Sequence, residues 1–124
     1  MTGNPPASEF HCQHMRELLL AIDAEDWQRL GAMLSPDCHY LAPGMRMLRG
    51  REEILDYYQR KRPIAAGVHV IERSCALPGE AIAIGTFTGT TRAGKKTALH
   101  FTDWVKFQGN LISAREVFVK PRKT

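Results

Sequence analysis

The second half of the chain most constrains its fold, because four long runs rich in β-branched and aromatic residues follow one another there. The runs cover residues 68–77, 81–91, 96–107 and 111–119. Short turn sequences separate them, namely Pro78-Gly79, Ala93-Gly94 and Gly109-Asn110. Turns this short join antiparallel neighbours. We therefore predict a meander of four strands, which curls because strands of about ten residues are long and twisted.

The first half of the chain has the helical period instead. Ser8 can cap a helix that begins at Glu9. The apolar stripe of this helix comprises Met15, Leu18, Leu19 and Ile22. Asp26 is placed to cap a second, shorter helix, which Pro36 cannot continue. These patterns predict two consecutive helices ahead of the first strand.

Between these helices and the meander, the sequence predicts a short strand over 38–41 and a loop or irregular strand over 45–49. A third helix is expected to begin near Arg51 and to stop before Pro63. The resulting order, α-α-β-α-β-β-β-β, is an α+β fold with three N-terminal helices on one face of an antiparallel sheet. A curved, cone-shaped sheet with helices on its concave side encloses a pocket.

Length and composition fit one domain. The chain has 124 residues, and we assign 8–119 to the domain, with flexible tails over 1–7 and 120–124. A hydrophobic fraction of 44% excludes general disorder. The net charge of +4 is mild, and the basic residues at 60–62 and 95–96 lie in separate segments. We therefore expect no nucleic-acid partner.

The cysteines bear on the compartment. Cys12, Cys38 and Cys75 are far apart and odd in number, which predicts buried thiols in a reducing environment. No stretch is apolar and long enough to span a membrane, and residues 1–7 do not have the pattern of a secretory signal. We expect a cytoplasmic protein with no membrane partner. His11 and His14 lie near Cys12, but nothing completes a zinc site, so no metal and no cofactor are expected.

Several short motifs, in this order, resemble the nuclear transport factor 2-like superfamily, in particular its SnoaL-like and ketosteroid-isomerase-like branch. The motifs are Ile22-Asp23 with Asp26-Trp27, Leu34-Ser35-Pro36-Asp37, Ala42-Pro43-Gly44, the run 49–54, and the closing runs 100–107 and 109–112. The resemblance covers roughly residues 8 to 119. It implies the cone-shaped fold, but it does not select one activity, because this scaffold carries isomerases, cyclases, dehydratases, epoxide hydrolases and binding proteins.

Asp103 is the leading candidate for chemistry. By alternation it shares one strand face with Leu99, Phe101 and Val105. A carboxyl group in such apolar surroundings can act as an acid, a base or a hydrogen-bond donor. Asp103 also matches the acid that, in ketosteroid isomerases, helps to form the oxyanion hole. The alternative is a structural carboxylate that binds a neighbouring strand or Arg115, and the sequence leaves both interpretations open.

The remaining isomerase residues carry over only in part. The resemblance places the general base of the family at Ala42 and its oxyanion-hole tyrosine at Leu18, whereas the supporting tyrosine is retained as Tyr58. Steroid isomerisation by that mechanism is therefore not expected. The closely spaced Arg and Asp of the epoxide hydrolase branch have no counterpart between Ala81 and Thr91, which disfavours that activity as well.

Two further residues are candidate partners of Asp103. His69 opens the strand that follows the third helix, and a histidine near an acid is the usual general base. Tyr40 shares a strand face with Ala42 and can donate a hydrogen bond to a ligand carbonyl. The alternatives are the commoner ones for these residue types, a solvated histidine at a strand end and a tyrosine whose ring packs in the core. This set of His, Asp and Tyr resembles the arrangement in the dehydratases of the superfamily. Expected ligand contacts are Tyr58, Arg115, Leu18, Trp27, Phe101 and Val117.

We therefore predict a pocketed protein that binds a small hydrophobic ligand. Its predicted activity is that of a cofactor-independent isomerase, cyclase or dehydratase acting on a small hydrophobic carbonyl or polyketide-like substrate, with Asp103, His69 and Tyr40 as catalytic residues. The alternatives are a non-catalytic binder and a dimeric interaction module.

The opposite face of the sheet predicts self-association. Alternation places His100, Thr102 and Lys106 on the same outer face as Trp104, and we assign Phe87 and Phe118 to this face from neighbouring strands. A tryptophan flanked by phenylalanines on an uncovered sheet would be a large apolar patch. We expect a homodimer formed through this face.

Overall fold

A computed structural model describes residues 7–122 of the chain. The helices are α1 (Ala7–Asp23), α2 (Trp27–Met33) and α3 (Arg51–Asp56), and a π-helical turn (Tyr57–Lys61) continues α3. The strands are β1 (Leu34–Leu41), β2 (Leu48–Arg49), β3 (Ile64–Leu77), β4 (Glu80–Thr91), β5 (Lys96–Gln108) and β6 (Leu111–Pro121). The predicted α+β class and the meander are confirmed, and each of the four long strands extends at one or both ends beyond its predicted run.

The six strands form one sheet in the order β2-β1-β6-β5-β4-β3. The pairs β3–β4, β4–β5 and β5–β6 are antiparallel, but β1 and β6 run parallel. The sheet is therefore mixed, and the prediction of a wholly antiparallel sheet was wrong on this point. The reason is that α3 and β3–β5 intervene between β1 and β6, so the chain re-enters beside β1 in the same direction.

The ends of α1, α2 and β6 can be compared with the ends predicted from the sequence. The side chain of Asp26 accepts a hydrogen bond from the backbone N–H of Arg29 (3.1 Å), which confirms the predicted N-cap of α2. α1 already includes Ala7, so it begins earlier than Glu9, and the side chain of Ser8 lies outside the described residues. β6 continues to Pro121, which pairs with Leu99, so the strand enters the segment predicted to be a tail.

α1 packs across the concave side of β3 and β4. Its predicted stripe is fully buried, with Met15 and Leu18 0% exposed. A β-carbon on Gly67 would overlap the Phe87 ring, and one on Gly89 would crowd it as well. These two glycines therefore let the Phe87 ring lie flat against the concave face of the sheet. Phe87 is buried there, so its assignment to the outer face was wrong. Phe87 on β4 pairs with Leu99 on β5, and Leu99 lies on the same face of the sheet as Asp103.

Two other expectations from the sequence concern the thiols and membrane-spanning helices. Among the thiols only Cys38 is buried, whereas Cys12 is partly covered and Cys75 is exposed, so the expectation of three buried thiols was wrong for two of them. Cys75 lies on β3, the edge strand of the sheet, where few side chains cover it. Within residues 7–122 no helix is long and apolar enough to cross a membrane.

Candidate active site

A cavity of about 220 Å³ opens between the concave face of the sheet and the turn that continues α3. Its walls are mostly apolar and include Phe87, Leu99, Phe101 and Val117. The polar side chains that border it are Tyr40, Tyr57, Tyr58, Arg62, His69, Asp103 and Arg115. A largely apolar cavity with a few convergent polar groups is the usual form of a small-molecule site.

A buried ion pair forms one wall of the cavity. The Nε of Arg115 donates to Oδ1 and Oδ2 of Asp103 (3.0 and 3.2 Å), and Nη2 donates to Oδ2 (2.7 Å). Asp103 is 1% exposed and Arg115 is 7% exposed. Burial alone would lower the pKa of Arg115, but the carboxylate of Asp103 and the nearby phenols raise it well above its ordinary value. Of the two interpretations left open for Asp103, this contact favours the structural one.

The ion pair continues into two tyrosines. Nη1 of Arg115 donates to the hydroxyl of Tyr58 (2.7 Å), and that hydroxyl donates to the hydroxyl of Tyr40 (3.3 Å). Arginine can only donate, and with the direction assigned between the two hydroxyls the hydrogen of Tyr40 has no acceptor among residues 7–122. Burial first, and then the neighbouring Tyr58, raises the pKa of Tyr40 well above its ordinary value. Tyr40 therefore keeps its proton and remains a hydrogen-bond donor beside the cavity.

A histidine on β3 and a carboxylate on α1 form a second polar pair at the cavity. Nδ1 of His69 lies 2.6 Å from Oδ1 of Asp23, and the backbone N–H of His69 donates to Oδ2 of the same carboxylate (2.8 Å). The side chain of His69 is 12% exposed and packs against the rings of Phe87 and Phe101. Since the carboxylate accepts from Nδ1, the assigned tautomer carries its hydrogen there and leaves a lone pair on Nε2.

The turn that follows α3 places two further groups on the wall. The backbone N–H of Arg62 donates to the carbonyl of Tyr57 (2.8 Å), a five-residue step characteristic of a π-helix. Tyr57 and Tyr58, adjacent in sequence, both border the cavity, as does Arg62. A regular helix would turn Tyr57 and Tyr58 about 100° apart, and the wider π-helical turn brings them closer to one side.

The structure brings together most, but not all, of the residues singled out in the sequence. Tyr58, Arg115, Phe101 and Val117 border the cavity, together with Tyr40, His69 and Asp103. Leu18 and Trp27 do not border it. Leu18 is fully buried between α1 and the sheet, and Trp27 packs behind Tyr58 at a ring-centroid distance of 5.6 Å.

Asp23 and Arg62 were not predicted as site residues from the sequence. The sequence predicts Asp103 as the partner of His69, whereas its carboxylate partner is Asp23, a residue of the Ile22-Asp23 motif. A usable signal was present: Asp23 is one helical turn beyond Leu19 and next to Ile22, at the edge of the buried stripe. A carboxylate at that position faces whatever α1 covers.

Within the described part of the chain, no group of three or more His, Cys, Asp or Glu side chains is arranged to hold a metal ion. His11 instead stacks on Phe107 with a ring-centroid distance of 4.3 Å, and His14 stacks on Phe10 at 4.0 Å. These two histidines pack α1 onto the end of β5 and lie away from the cavity.

Comparison with known proteins places this architecture. The profile of the SnoaL-like domain family matches residues 15–115. A search of curated protein sequences finds no match. An NTF2-like protein of unknown function from Burkholderia pseudomallei is 20% identical and superposes with a TM-score of 0.81 over 90% of this chain and 91% of that chain.

Two other similar structures carry different descriptions. An LEH-like epoxide hydrolase from M. tuberculosis is 16% identical, with a TM-score of 0.82 over 93% of this chain and 86% of that chain. A protein with a ketosteroid isomerase-like fold from Catenulispora acidiphila, solved in complex with trimethylamine, is 15% identical, with a TM-score of 0.76 over 85% and 83%. At these identities the likeness establishes the fold and leaves the activity open.

Proposed function

Because the chain belongs to the SnoaL-like domain family, whose fold encloses a cavity, we propose that it is a cofactor-independent proton-transfer enzyme of the isomerase, cyclase or dehydratase type. Its substrate would be a small hydrophobic carbonyl compound that fills the cavity. The observation that carries the proposal is the His69–Asp23 pair, in which a carboxylate orients an imidazole that borders an apolar cavity. This is the arrangement in which a histidine acts as general base.

The proposed base is Nε2 of His69. It would take a proton from the carbon next to the substrate carbonyl, and the imidazolium so formed would be stabilised by the carboxylate of Asp23. The imidazolium would then return the proton, either to a second carbon in an isomerisation or to a departing hydroxyl in a dehydration. The carboxylate of Asp23 also accepts a hydrogen bond from the backbone N–H of His69, which holds the ring in position during both proton transfers.

The proposed stabiliser of the enolate is Tyr40. Its hydroxyl hydrogen has no acceptor among residues 7–122, and its oxygen accepts from Tyr58, which in turn accepts from the Arg115 guanidinium. A donor polarised by a cation two hydrogen bonds away suits the negative charge that develops on a carbonyl oxygen. Asp103 then has a positioning role, since it holds Arg115 at the start of this chain of donors.

The proposal can be tested without the natural substrate. 5-Nitrobenzisoxazole is a small, uncharged aromatic compound whose ring opens when a base removes one carbon-bound proton, with cleavage of its N–O bond to give a nitrile and a phenolate. We expect the protein to accelerate this reaction, and the substitution His69→Gln to lower the rate by roughly 10²–10⁴-fold. Tyr40→Phe should lower it by about 10²-fold, because the phenolate oxygen loses its donor.

The control for this assay is His100→Gln, because His100 lies exposed on the outer face of the sheet. It should leave the rate unchanged. An acceleration that persists in His69→Gln would contradict the assignment of the base.

A non-catalytic binding protein is the second candidate. It is favoured by Ala42, which stands where the resemblance places a general base, and by the neutralisation of Asp103 by Arg115. Under this interpretation the probe would bind in the cavity, seen as shifts of the amide signals of Leu99 and Phe101, and its ring would not open faster than in buffer.

We also propose that the outer face of the sheet forms a homodimer. Val68, Val70, Ile84 and Phe118 present large apolar side chains there, each about half exposed. Trp104 is half buried within its own chain, because its indole N–H donates to Glu80 (2.6 Å) and Lys106 lies over its ring. A patch of this kind on a sheet is typical of a subunit interface.

A further inference from the structure

The rim of the cavity carries a cation that the proposed chemistry does not use. The guanidinium carbon of Arg62 lies 5.3 Å from the centroid of the Tyr58 ring, on the wall of the cavity next to Pro63. The residue is partly exposed, so its charge reaches both solvent and cavity.

Among the charged groups that line the cavity, Arg62 differs from the others in having no carboxylate partner within residues 7–122. On the cavity wall, Arg115 is neutralised by Asp103 and His69 is bound by Asp23. Among residues 7–122, no carboxylate forms an ion pair with Arg62. Its two neighbours in sequence are paired, because Arg60 and Lys61 both contact Asp56. The cavity therefore has one uncompensated positive charge, at its rim.

The backbone around Arg62 is held from both sides. Its N–H closes the π-helical turn on the carbonyl of Tyr57 (2.8 Å), and its carbonyl accepts from Nε of Arg92 (2.6 Å). The backbone N–H of Arg92 donates in turn to the carbonyl of Pro63 (2.8 Å). Arg62 is thus anchored where its side chain meets the cavity, and Arg92 adds a second positive charge close by. Because the backbone of Arg62 is already fixed, it loses little entropy when the side chain binds an anion.

From this arrangement we propose that Arg62 is a specificity residue that binds an anionic group of the ligand, so that the ligand is an organic anion with an apolar body. This inference rests on the proposed function of the cavity as a small-molecule site. The apolar body would contact Phe87, Leu99 and Phe101, and a carboxylate at its outer end would accept from the guanidinium of Arg62. A planar guanidinium fits a carboxylate with two parallel hydrogen bonds.

The experiment compares two probes with the same apolar body, 2-naphthoate and its uncharged methyl ester. Dissociation constants are measured by calorimetry, and binding in the cavity is checked by shifts of the amide signals of Leu99 and Phe101. We expect the protein to bind 2-naphthoate more tightly than the ester. Arg62→Gln should raise the dissociation constant of 2-naphthoate by roughly 5- to 20-fold, as for the loss of a charge-assisted hydrogen bond at a partly exposed site. The dissociation constant of the ester should not change. Arg62→Lys should keep part of the preference.

Arg60→Gln is the matched control, because it removes an equal charge two residues away without touching the cavity, and it should keep the preference. Acid binding that is equal in Arg62→Gln and the unaltered protein would overturn the inference but leave the cavity as a binding site. An equal loss of acid and ester in Arg62→Gln would also overturn it, since Arg62 would then act only through the shape of the rim. If neither probe shifts the cavity amides, both the inference and the proposed small-molecule site are contradicted.

Discussion

The buried Asp103–Arg115 pair makes a quantitative prediction for the substitution Asp103→Asn. The change keeps the shape of the side chain but removes the charge that neutralises Arg115, which is 7% exposed. At about 4 Å, two unit charges interact by roughly 4 kcal/mol at an effective dielectric constant of about 20. Measured losses on breaking one side of a buried pair are about 3–5 kcal/mol. We therefore expect a loss of this size out of a total stability of about 5–15 kcal/mol.

The measurement is urea unfolding at neutral pH, because guanidinium salts would also change the ionic strength and so the interactions between surface charges. The double substitution Asp103→Leu with Arg115→Met should cost less than Asp103→Asn alone, since it leaves no unpaired charge in the core. A loss below about 1 kcal/mol for Asp103→Asn, together with a complete loss of 5-nitrobenzisoxazole opening, would refute the structural interpretation. It would instead support Asp103 as a catalytic acid.

Two further predictions concern pH and assembly. Burial raises the pKa of the Cys38 thiol from 9.0 to about 11, so its contribution to stability is complete below pH 9 and is lost as the pH rises towards 11. Urea unfolding across that range should show a fall of roughly 2–3 kcal/mol from this thiol, in addition to the fall caused by the raised pKa values of Tyr40 and Tyr57. Cys38→Ala should remove the share of the thiol, and an unchanged slope in that variant would contradict the raised pKa of Cys38. For the outer face, sedimentation should give a dimer at micromolar concentration and a monomer for Phe118→Asp; a monomer for the unaltered protein would exclude the interface.

The part of the fold that rests on local signals could be predicted from the sequence. Turn pairs such as Pro78-Gly79 delimit the strands, and alternation along β5 correctly placed Asp103 on the inner face, which borders the cavity. The parallel neighbour of β1 could not be predicted, because strand order depends on packing across the whole sheet. The start of β3 at Ile64 was hidden by Ala65, Ala66 and Gly67, whose strand propensities are low.

The site was harder to predict for the same physical reason. Its contacts join residues that are far apart in sequence, and His69 and Asp23 are separated by 46 positions. Nothing local in the chain tells His69 which carboxylate it meets, and Asp103 was the more conspicuous candidate. Arg62 was hidden in a different way: within the run 60–62 it reads as one of three equivalent basic residues, and only the π-helical turn separates it from the other two.

The most direct test of the account is the protonation pattern of the His69 ring, read from the nitrogen-15 spectrum of the imidazole at neutral pH. The account predicts a hydrogen on Nδ1, bound to Asp23, and a bare Nε2 on this ring, which borders the cavity. Asp23→Asn should disturb this pattern. The control is Asp26→Asn, which should leave the pattern unchanged because the exposed carboxylate of Asp26 only caps α2. A neutral ring with its hydrogen on Nε2 in the unaltered protein would contradict the account, because the lone pair of the proposed base would then face Asp23 instead of the substrate.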